Sequence, residues 1–320
     1  MSKSTKIWLI IAGFLIVVGS SIFVIAMFKT GWDFTKLSTV KFETNTYELN
    51  DDFNSISISG DTADVKIIKS ETEKAKVICV EREKCTHTVK VDNETLQISV
   101  NNEMSALDYI GISFQSAKIT IYLPNGNYSN LNVKSDTGDI EISKDFTFEN
   151  INVEVSTGDI KCFASVTNDI TLKASTGDIK IENLTVNSLS LLTSTGNVSA
   201  TNLIVNEKVV ANVSTGKVRL KNITCKNFLS SGSTGDVYLE NVIAVEKIDI
   251  KRSTGDVEFE ELDASEIEIK TSTGDVEGTL LTEKTFSIKT NTGDVDVPRL
   301  SSGGLCKITT DTGDIDIEIK

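Results

Sequence analysis

The sequence predicts an all-β protein: a single-stack β-solenoid of about ten coils, each of 19–20 residues, with a β-rich N-terminal cap and one transmembrane helix in front. Three observations predict it. A T-G-D-[IV] tetrad or near variant occurs ten times, with glycines at Gly138, Gly158, Gly177, Gly196, Gly216, Gly235, Gly255, Gly274, Gly293 and Gly313, spaced by 19 or 20 residues throughout. Apolar residues alternate with polar ones on both sides of every tetrad. The first thirty residues or so contain one long uncharged apolar run, and nothing else in the chain resembles it.

The apolar run covers Ile7 to Phe28, 22 residues without a charge, enough to cross a hydrocarbon layer as a helix with some tilt. Lys3 and Lys6 precede it, Lys29 follows it, and Trp8 and Trp32 stand near its ends, where indoles favour the headgroup layer. No A-x-A cleavage site and no lipid-accepting cysteine follows, so the run reads as an uncleaved anchor between a short tail, residues 1–6, and a linker, residues 29–41. Lysines flank both ends. The short tail and long C-terminal portion fit a signal anchor with the C-terminal domain outside the cell.

Residues 42–130 lack the glycine tetrad but contain strand-like alternation, as in Ala63 to Ile68, Lys76 to Val80, Leu96 to Val100 and Ala117 to Leu123. This segment reads as the cap that a repeat array needs at its end. The repeat occupies residues 131–320. Two residues after each glycine stands Ile or Val, and seven and five before it stand mostly apolar residues, which gives two short strands per repeat. So small a unit buries nothing alone; piling the units in register makes a common interior. A propeller with blades of paired repeats is the competing architecture, but odd and even repeats do not differ. The sequence ends on Asp314 to Lys320, a strand with charged alternate positions that would blunt edge pairing and still leave an edge open to end-to-end self-association.

Composition narrows the function classes. With 32 Lys and Arg against 46 Asp and Glu, the net charge is −14, which argues against a nucleic-acid partner. A single histidine, His87, excludes a multi-histidine metal site and makes a His-based triad improbable on composition; no chemistry is assigned to it. The five cysteines form no C-x-x-C, and neither cofactor nor metal is expected from them. Cys162 and Cys306 fall on inward phases. Cys79 and Cys85 flank a turn and could face each other, so a disulfide between them is open.

The conspicuous polar feature is the aspartate that follows the corner glycine: Asp139, Asp159, Asp178, Asp236, Asp256, Asp275, Asp294 and Asp314, with Asn197 and Lys217 in the two remaining coils. Stacked coils would hold these carboxylates about 4.8 Å apart. They read as structural turn residues that accept backbone N–H groups; the alternative is a ladder that collects cations. Lys217 could relieve repulsion on Asp236. Paired carboxylates such as Asp294 with Asp296 and Asp314 with Asp316 could do acid–base work on a glycan, but such pairs on every coil are the mark of a solvated face.

The stretch from Lys118 to Ile142, KITIYLPNGNYSNLNVKSDTGDIEI, and the serial S-T-G-D-[IV] tetrads behind an N-terminal anchor resemble the bacterial "putative adhesin" β-strand-repeat family, a domain-of-unknown-function group, over residues 42–320. The resemblance implies a non-catalytic, membrane-anchored cell-surface module that contacts a protein or glycan. It also leaves room for an accessory of envelope stress signalling. It assigns no catalytic residue and carries over only the Thr-Gly-Asp corners. An envelope polysaccharide enzyme is the third reading; the constant coil length leaves no inserted loops from which to build a pocket.

Overall fold

The computed structural model describes residues 2–33, 36, 38–108, 110–111, 113, 115–299 and 302–320. Met1 of the tail and residues 34, 35 and 37 of the linker lie outside them. Helix α1 (Lys3–Thr30) contains the apolar run, with a mean hydropathy of 2.8 over its best 18 residues. By length and composition it can cross a membrane. The Ser2 side chain accepts the Thr5 N–H at its start, and Gly31 closes it with a left-handed φ of 67°.

The repeats form one β-solenoid, not propeller blades. Strands of successive coils pair in parallel and in register, Ile179 on Val198 on Val218 on Val237 on Val257 for example. Each coil turns at the tetrad glycine, where φ lies between 121° and 149°, a region closed to residues with a Cβ. A side chain there is excluded twice over: a Cβ on Gly216 would sit 2.0 Å from the Gly196 carbonyl oxygen.

The coils have a third side beyond the two strands predicted. After the corner strand the chain kinks at Asn183, Asn202, Asn222 and Asn241, all with left-handed φ of 51–60°, and at Glu261 in the next coil. Asparagine tolerates this conformation. Their side chains form a ladder in which each Asn Nδ2 donates to the preceding Asn Oδ1 at 2.8–3.0 Å. The kink admits a second inward pair per coil, such as Leu184 with Val186 and Ile223 with Cys225. In the first coils this side carries the aromatic cluster of Phe53, Tyr128, Phe146 and Phe148, with neighbouring centroids 5.5–6.4 Å apart. Each such aliphatic or aromatic side chain taken from water contributes about 1.5–3 kcal/mol, and stacking is the only way these short units bury them.

Both ends depart from simple chain order. Before Leu131 the chain forms β1 (Phe42–Glu48), β2 (Ser55–Ser59), β3 (Asp64–Lys69), β4 (Lys76–Arg82), β5 (Cys85–Asp92), β6 (Thr95–Asn102) and β7 (Lys118–Leu123). Strands β2 and β3 make a parallel coil under the Gly138 coil, with Ala63 at the corner, and β6 and β7 make another under that. Among the described residues, β1, β4 and β5 run antiparallel to their neighbours and close the stack. Winding therefore extends well into residues 42–130.

At the far end, the last segment does not lie last. Strand Gly304–Thr309 inserts between Glu266–Lys270 and Lys284–Lys289, and Ile315–Ile319 pairs with Val276–Leu280 on one side and Val295–Asp296 on the other. The corner order is Gly255, Gly274, Gly313, Gly293. The open edge expected at Asp314 to Lys320 is thus largely the edge of Lys284–Lys289 and Val295–Asp296. Pro298, which has no N–H to donate, stands two residues on.

One inward position breaks the apolar rule. Three residues before the corner glycine, Thr193, Thr271, Thr290 and Thr310 each donate a hydroxyl to a neighbouring coil's corner carbonyl at 3.1–3.4 Å. Arg252 takes this position in its coil. It is 4% exposed, with Nη2 on Ser230 Oγ at 2.9 Å and Nε and Nη1 without partners among the described residues. Burial pulls its pKa down to about 10. Its guanidinium fits because the facing residue is Gly232, whose Cβ would meet Nη1 at 2.1 Å. An incompletely paired buried cation opposes folding. Arg252→Thr should therefore raise stability by about 1–3 kcal/mol, read as a higher thermal midpoint in full-length protein in detergent; a lower midpoint would mean that the guanidinium is a net stabiliser.

Candidate functional site

The corner aspartates fall in one column and are joined by hydrogen bonds from coil to coil. The Oδ1 of Asp139 accepts the Asp159 N–H at 2.8 Å, and Asp159 does the same for Asp178. The pattern continues from Asp256 to Asp275, from Asp275 to Asp314 and from Asp314 to Asp294, at 2.7–2.9 Å. Asp236 accepts the Asp256 N–H at 3.3 Å. Asn197 keeps the chain of contacts: its N–H goes to Asp178 and its own Oδ1 accepts the Lys217 N–H. Lys217 Nζ reaches Asp236 Oδ2 at 2.9 Å, and this ammonium holds the Asp236 carboxyl below its ordinary range. Seven of the eight corner aspartates and Asn197 thus each satisfy a backbone donor of the adjacent coil. These bonds use one oxygen of each carboxylate.

The five cysteines are free and buried. Cys79 and Cys85 do not face each other: Arg82 is the residue opposite Cys85, while Cys79 pairs across to Asn45 and Ile119. The two are offset by three residues along the hairpin, about 10 Å, too far for a disulfide. Cys162, Cys225 and Cys306 fill the interior, and burial raises each thiol to about 12.

A groove of about 590 Å3 lies on the strand that follows the glycine corners. In-register pairing places Ser199, Arg219, Tyr238, Glu258 and Glu277 on one row of outward positions. Thr201, Lys221, Glu240 and Glu260 make a parallel row two residues on. The charge changes sign along the stack. Arg219 and Lys221 lie at one end, Glu258, Glu260, Glu277, Asp316 and Glu318 at the other. Tyr238 marks the boundary. The Arg219 guanidinium and the Lys217 ammonium stand 5.3 and 5.2 Å from its ring centroid, and its hydroxyl donates to Asp236 Oδ2 at 3.1 Å. Lys221 pairs with Glu240 at 2.7 Å. At the acidic end, burial and the neighbouring Glu277, Asp256 and Asp236 push the Glu258 carboxyl above its ordinary value.

The groove was not legible in the sequence, because its rows join residues 19 or 20 positions apart. Aligning the repeats and reading the third residue after each glycine would have found it: Glu141, Lys161, Lys180, Ser199, Arg219, Tyr238, Glu258, Glu277, Asp296, Asp316. The Asp294–Asp296 and Asp314–Asp316 pairs do not form a separate cleft. Asp314 supports the Asp294 corner, and Asp296 lies beside Asp316 on an exposed strand.

A β-solenoid with Thr-Gly-Asp corners and a charged groove on one strand face defines a repeat scaffold. The chain belongs to the Toastrack DUF4097 family, whose profile matches residues 53–210 and 205–320. No curated protein matches it. Among solved structures it is similar to a "putative lipid binding protein" from Parabacteroides distasonis, 15% identical with a TM-score of 0.46, covering 88% of this chain and 98% of that one. It is also similar to a "putative adhesin" from the same organism (9% identical, TM-score 0.45, 85% and 98% covered) and to one from Bacteroides fragilis (17%, 0.39, 87% and 97%).

The charge on Glu258 has a consequence for stability. A carboxyl whose folded pKa is raised holds its proton more tightly in the folded state, so its favourable contribution is present at acid pH and is lost as pH rises past that pKa. Glu258→Gln should therefore raise the thermal midpoint at pH 7, and the gain should shrink on acidification towards pH 4. A gain that is the same at both pH values would place its origin elsewhere than in this carboxylate.

Proposed function

We propose that this protein is a membrane-anchored, non-catalytic interaction module that presents its solenoid outside the cell and engages a protein or glycan partner through the groove around Tyr238. The carrying observation is that groove: two rows of side chains, graded from Arg219 and Lys221 to Glu260 and Glu277, fixed on paired strands. Rigid strands hold these groups at a set spacing, and a face of mixed sign selects a partner with the reverse order of charges. The helix α1 supplies the anchor, and its length and hydropathy support that role. Association with an adhesive surface is the reading suggested by the adhesin-type relatives; an accessory role in envelope signalling uses the same face with a membrane protein as its partner.

Non-catalytic action rests on the form of the groove. Its acidic groups lie on a continuous strand surface with no inserted loop above them among the described residues, which leaves the groove open to water. The experiment is crosslinking in intact cells, followed by capture of the full-length chain and of a doubly reversed variant, Lys221→Glu with Glu260→Lys. The expected result is a crosslinked glycan or envelope protein with wild type and at least tenfold less with the variant, at an unchanged thermal midpoint. Equal capture by both would remove the groove from the interaction. Turnover of a cell-wall glycan by the wild type would replace the binding reading with an enzymatic one.

A further inference from the structure

The antiparallel end of the stack contains a group of side chains that neither the solenoid nor the groove explains. Strand β4 points Cys79 and Glu81 to the same side, and His87 on β5 meets them. One ligand atom from each of the three lies within 4.8 Å of the others. All are buried: Cys79 and Glu81 are 0% exposed and His87 is 5% exposed. The Glu81 carboxylate accepts Asn45 Nδ2 at 2.6 Å on Oε1, and the His87 N–H at 2.7 Å on Oε2, where His87 Nδ1 also stands at 2.7 Å. Tyr47 donates its hydroxyl to the His87 carbonyl at 3.0 Å. His87 Nε2 is buried and finds no partner among the described residues.

His87 Nδ1 and Glu81 Oε2 already meet and the Cys79 thiol stands beside them, so three donors of different kinds converge on one buried point. A divalent cation held by a Cys79 thiolate, the Glu81 carboxylate and a neutral His87 brings the sum to zero and uses all three side chains. We infer that Cys79, Glu81 and His87 form a zinc site that staples β4 to β5 and so locks the closing strands onto the end of the solenoid.

The chemistry favours zinc over harder ions. A thiolate, an imidazole and a carboxylate are the donors of tetrahedral zinc, whereas calcium and magnesium take oxygen. Bonds of about 2.0–2.3 Å place tetrahedral ligand atoms roughly 3.3–3.7 Å apart, so the present cluster needs an adjustment on the order of 1 Å. The short His87–Glu81 contact opens and Cys79 approaches. Binding releases the thiol proton of Cys79 to solvent, and a second proton where His87 begins as imidazolium. Three protein ligands leave the fourth position to water. His87 also lines a cavity of about 370 Å3 shared with Cys85, Arg82, Asp61 and Met104, which brings that ligand to the edge of an open space. Asn45 and Tyr47 hold Glu81 and His87 from outside the ligand set, as supporting residues around zinc do. The absence of C-x-x-C or a second histidine hides such a site from spacing rules, because its ligands meet only when the hairpin closes.

The test uses full-length protein in detergent, stripped with a chelator and titrated with Zn²⁺ against a chromogenic competitor. The expected result is one Zn²⁺ per chain bound at submicromolar concentration, with a higher thermal midpoint on addition of metal. Co²⁺ should give a near-ultraviolet thiolate charge-transfer band. Cys79→Ser and His87→Gln should each weaken Zn²⁺ at least 100-fold and remove that band, while Cys85→Ser and Cys225→Ser keep both. Asn45→Ala, outside the ligand set, should weaken binding by about 10-fold in a protein that still folds. A folded wild type that binds no Zn²⁺ at 100 μM competitor-free metal would overturn the assignment and leave a buried His87–Glu81 hydrogen bond. Loss of the thiolate band with Cys85→Ser and not with Cys79→Ser would overturn it equally.

Discussion

Parallel backbone pairing between adjacent coils is the constraint on which the rest depends. Every coil hands its N–H and C=O groups to the coils above and below, and the pairing holds its register only if all coils bend at the same place. The corner makes that demand concrete. At Gly177 and Gly196 the neighbouring corner carbonyl stands where a Cβ would be, at 2.0 Å. A side chain at any one of the ten glycine corners would force two coils apart and break the column of Asp-to-N–H bonds beside it. Period, glycine and aspartate are therefore one requirement seen at three positions in the repeat.

The interior follows from the same pairing. A coil of 19 or 20 residues has too few inward positions to close a core, but in register each inward residue lands on its equivalent in the next coil. Ile248 lies on Ile267, and Ile250 on Ile269. The ladders tolerate changes of size where two coils compensate each other. Phe259 fills space over Gly278, and Arg252 occupies the room left at Gly232. Such exchanges explain why the inward positions vary in residue type while the glycine of the ten tetrads does not.

The corners and two of the three sides were readable from the sequence because they recur at fixed distance from glycine. The third side was not, although its signal exists. Asn183, Asn202, Asn222 and Asn241 stand six residues after successive glycines, followed by an apolar pair that changes from Leu184 and Val186 to Val242 and Ala244. Reading only glycine as a turn residue hides a corner made by asparagine. The exchanged order of the last two coils has no local signature, since each coil carries the same pattern and the choice of neighbour is a tertiary matter. The Gly303–Gly304 pair is its one trace: Gly303 has φ 88°, and Gly304 passes within 2.1 Å, measured to a would-be Cβ, of the Ser265 carbonyl. The cluster of Cys79, Glu81 and His87 was hidden for a different reason. The hairpin register sets Arg82 opposite Cys85, which moves Cys79 away from the cysteine it was expected to face and towards the histidine.

The groove and the buried cluster share no residue, and they lie on different parts of the stack. Both depend on coils that stay in register, so the most direct measurement is of the stack itself. Lys161 and Glu277 are exposed and joined by an unbroken row of paired residues through Lys180, Ser199, Arg219, Tyr238 and Glu258. Six rungs separate them, about 29 Å at 4.8 Å per rung. Spin labels on Lys161→Cys and Glu277→Cys, read by double electron–electron resonance in the full-length chain with its five native cysteines buried, should give one narrow distance distribution near that value once label length is included. A broad distribution, or a mean beyond about 45 Å where rungs of 4.8 Å cannot reach, would contradict the in-register solenoid.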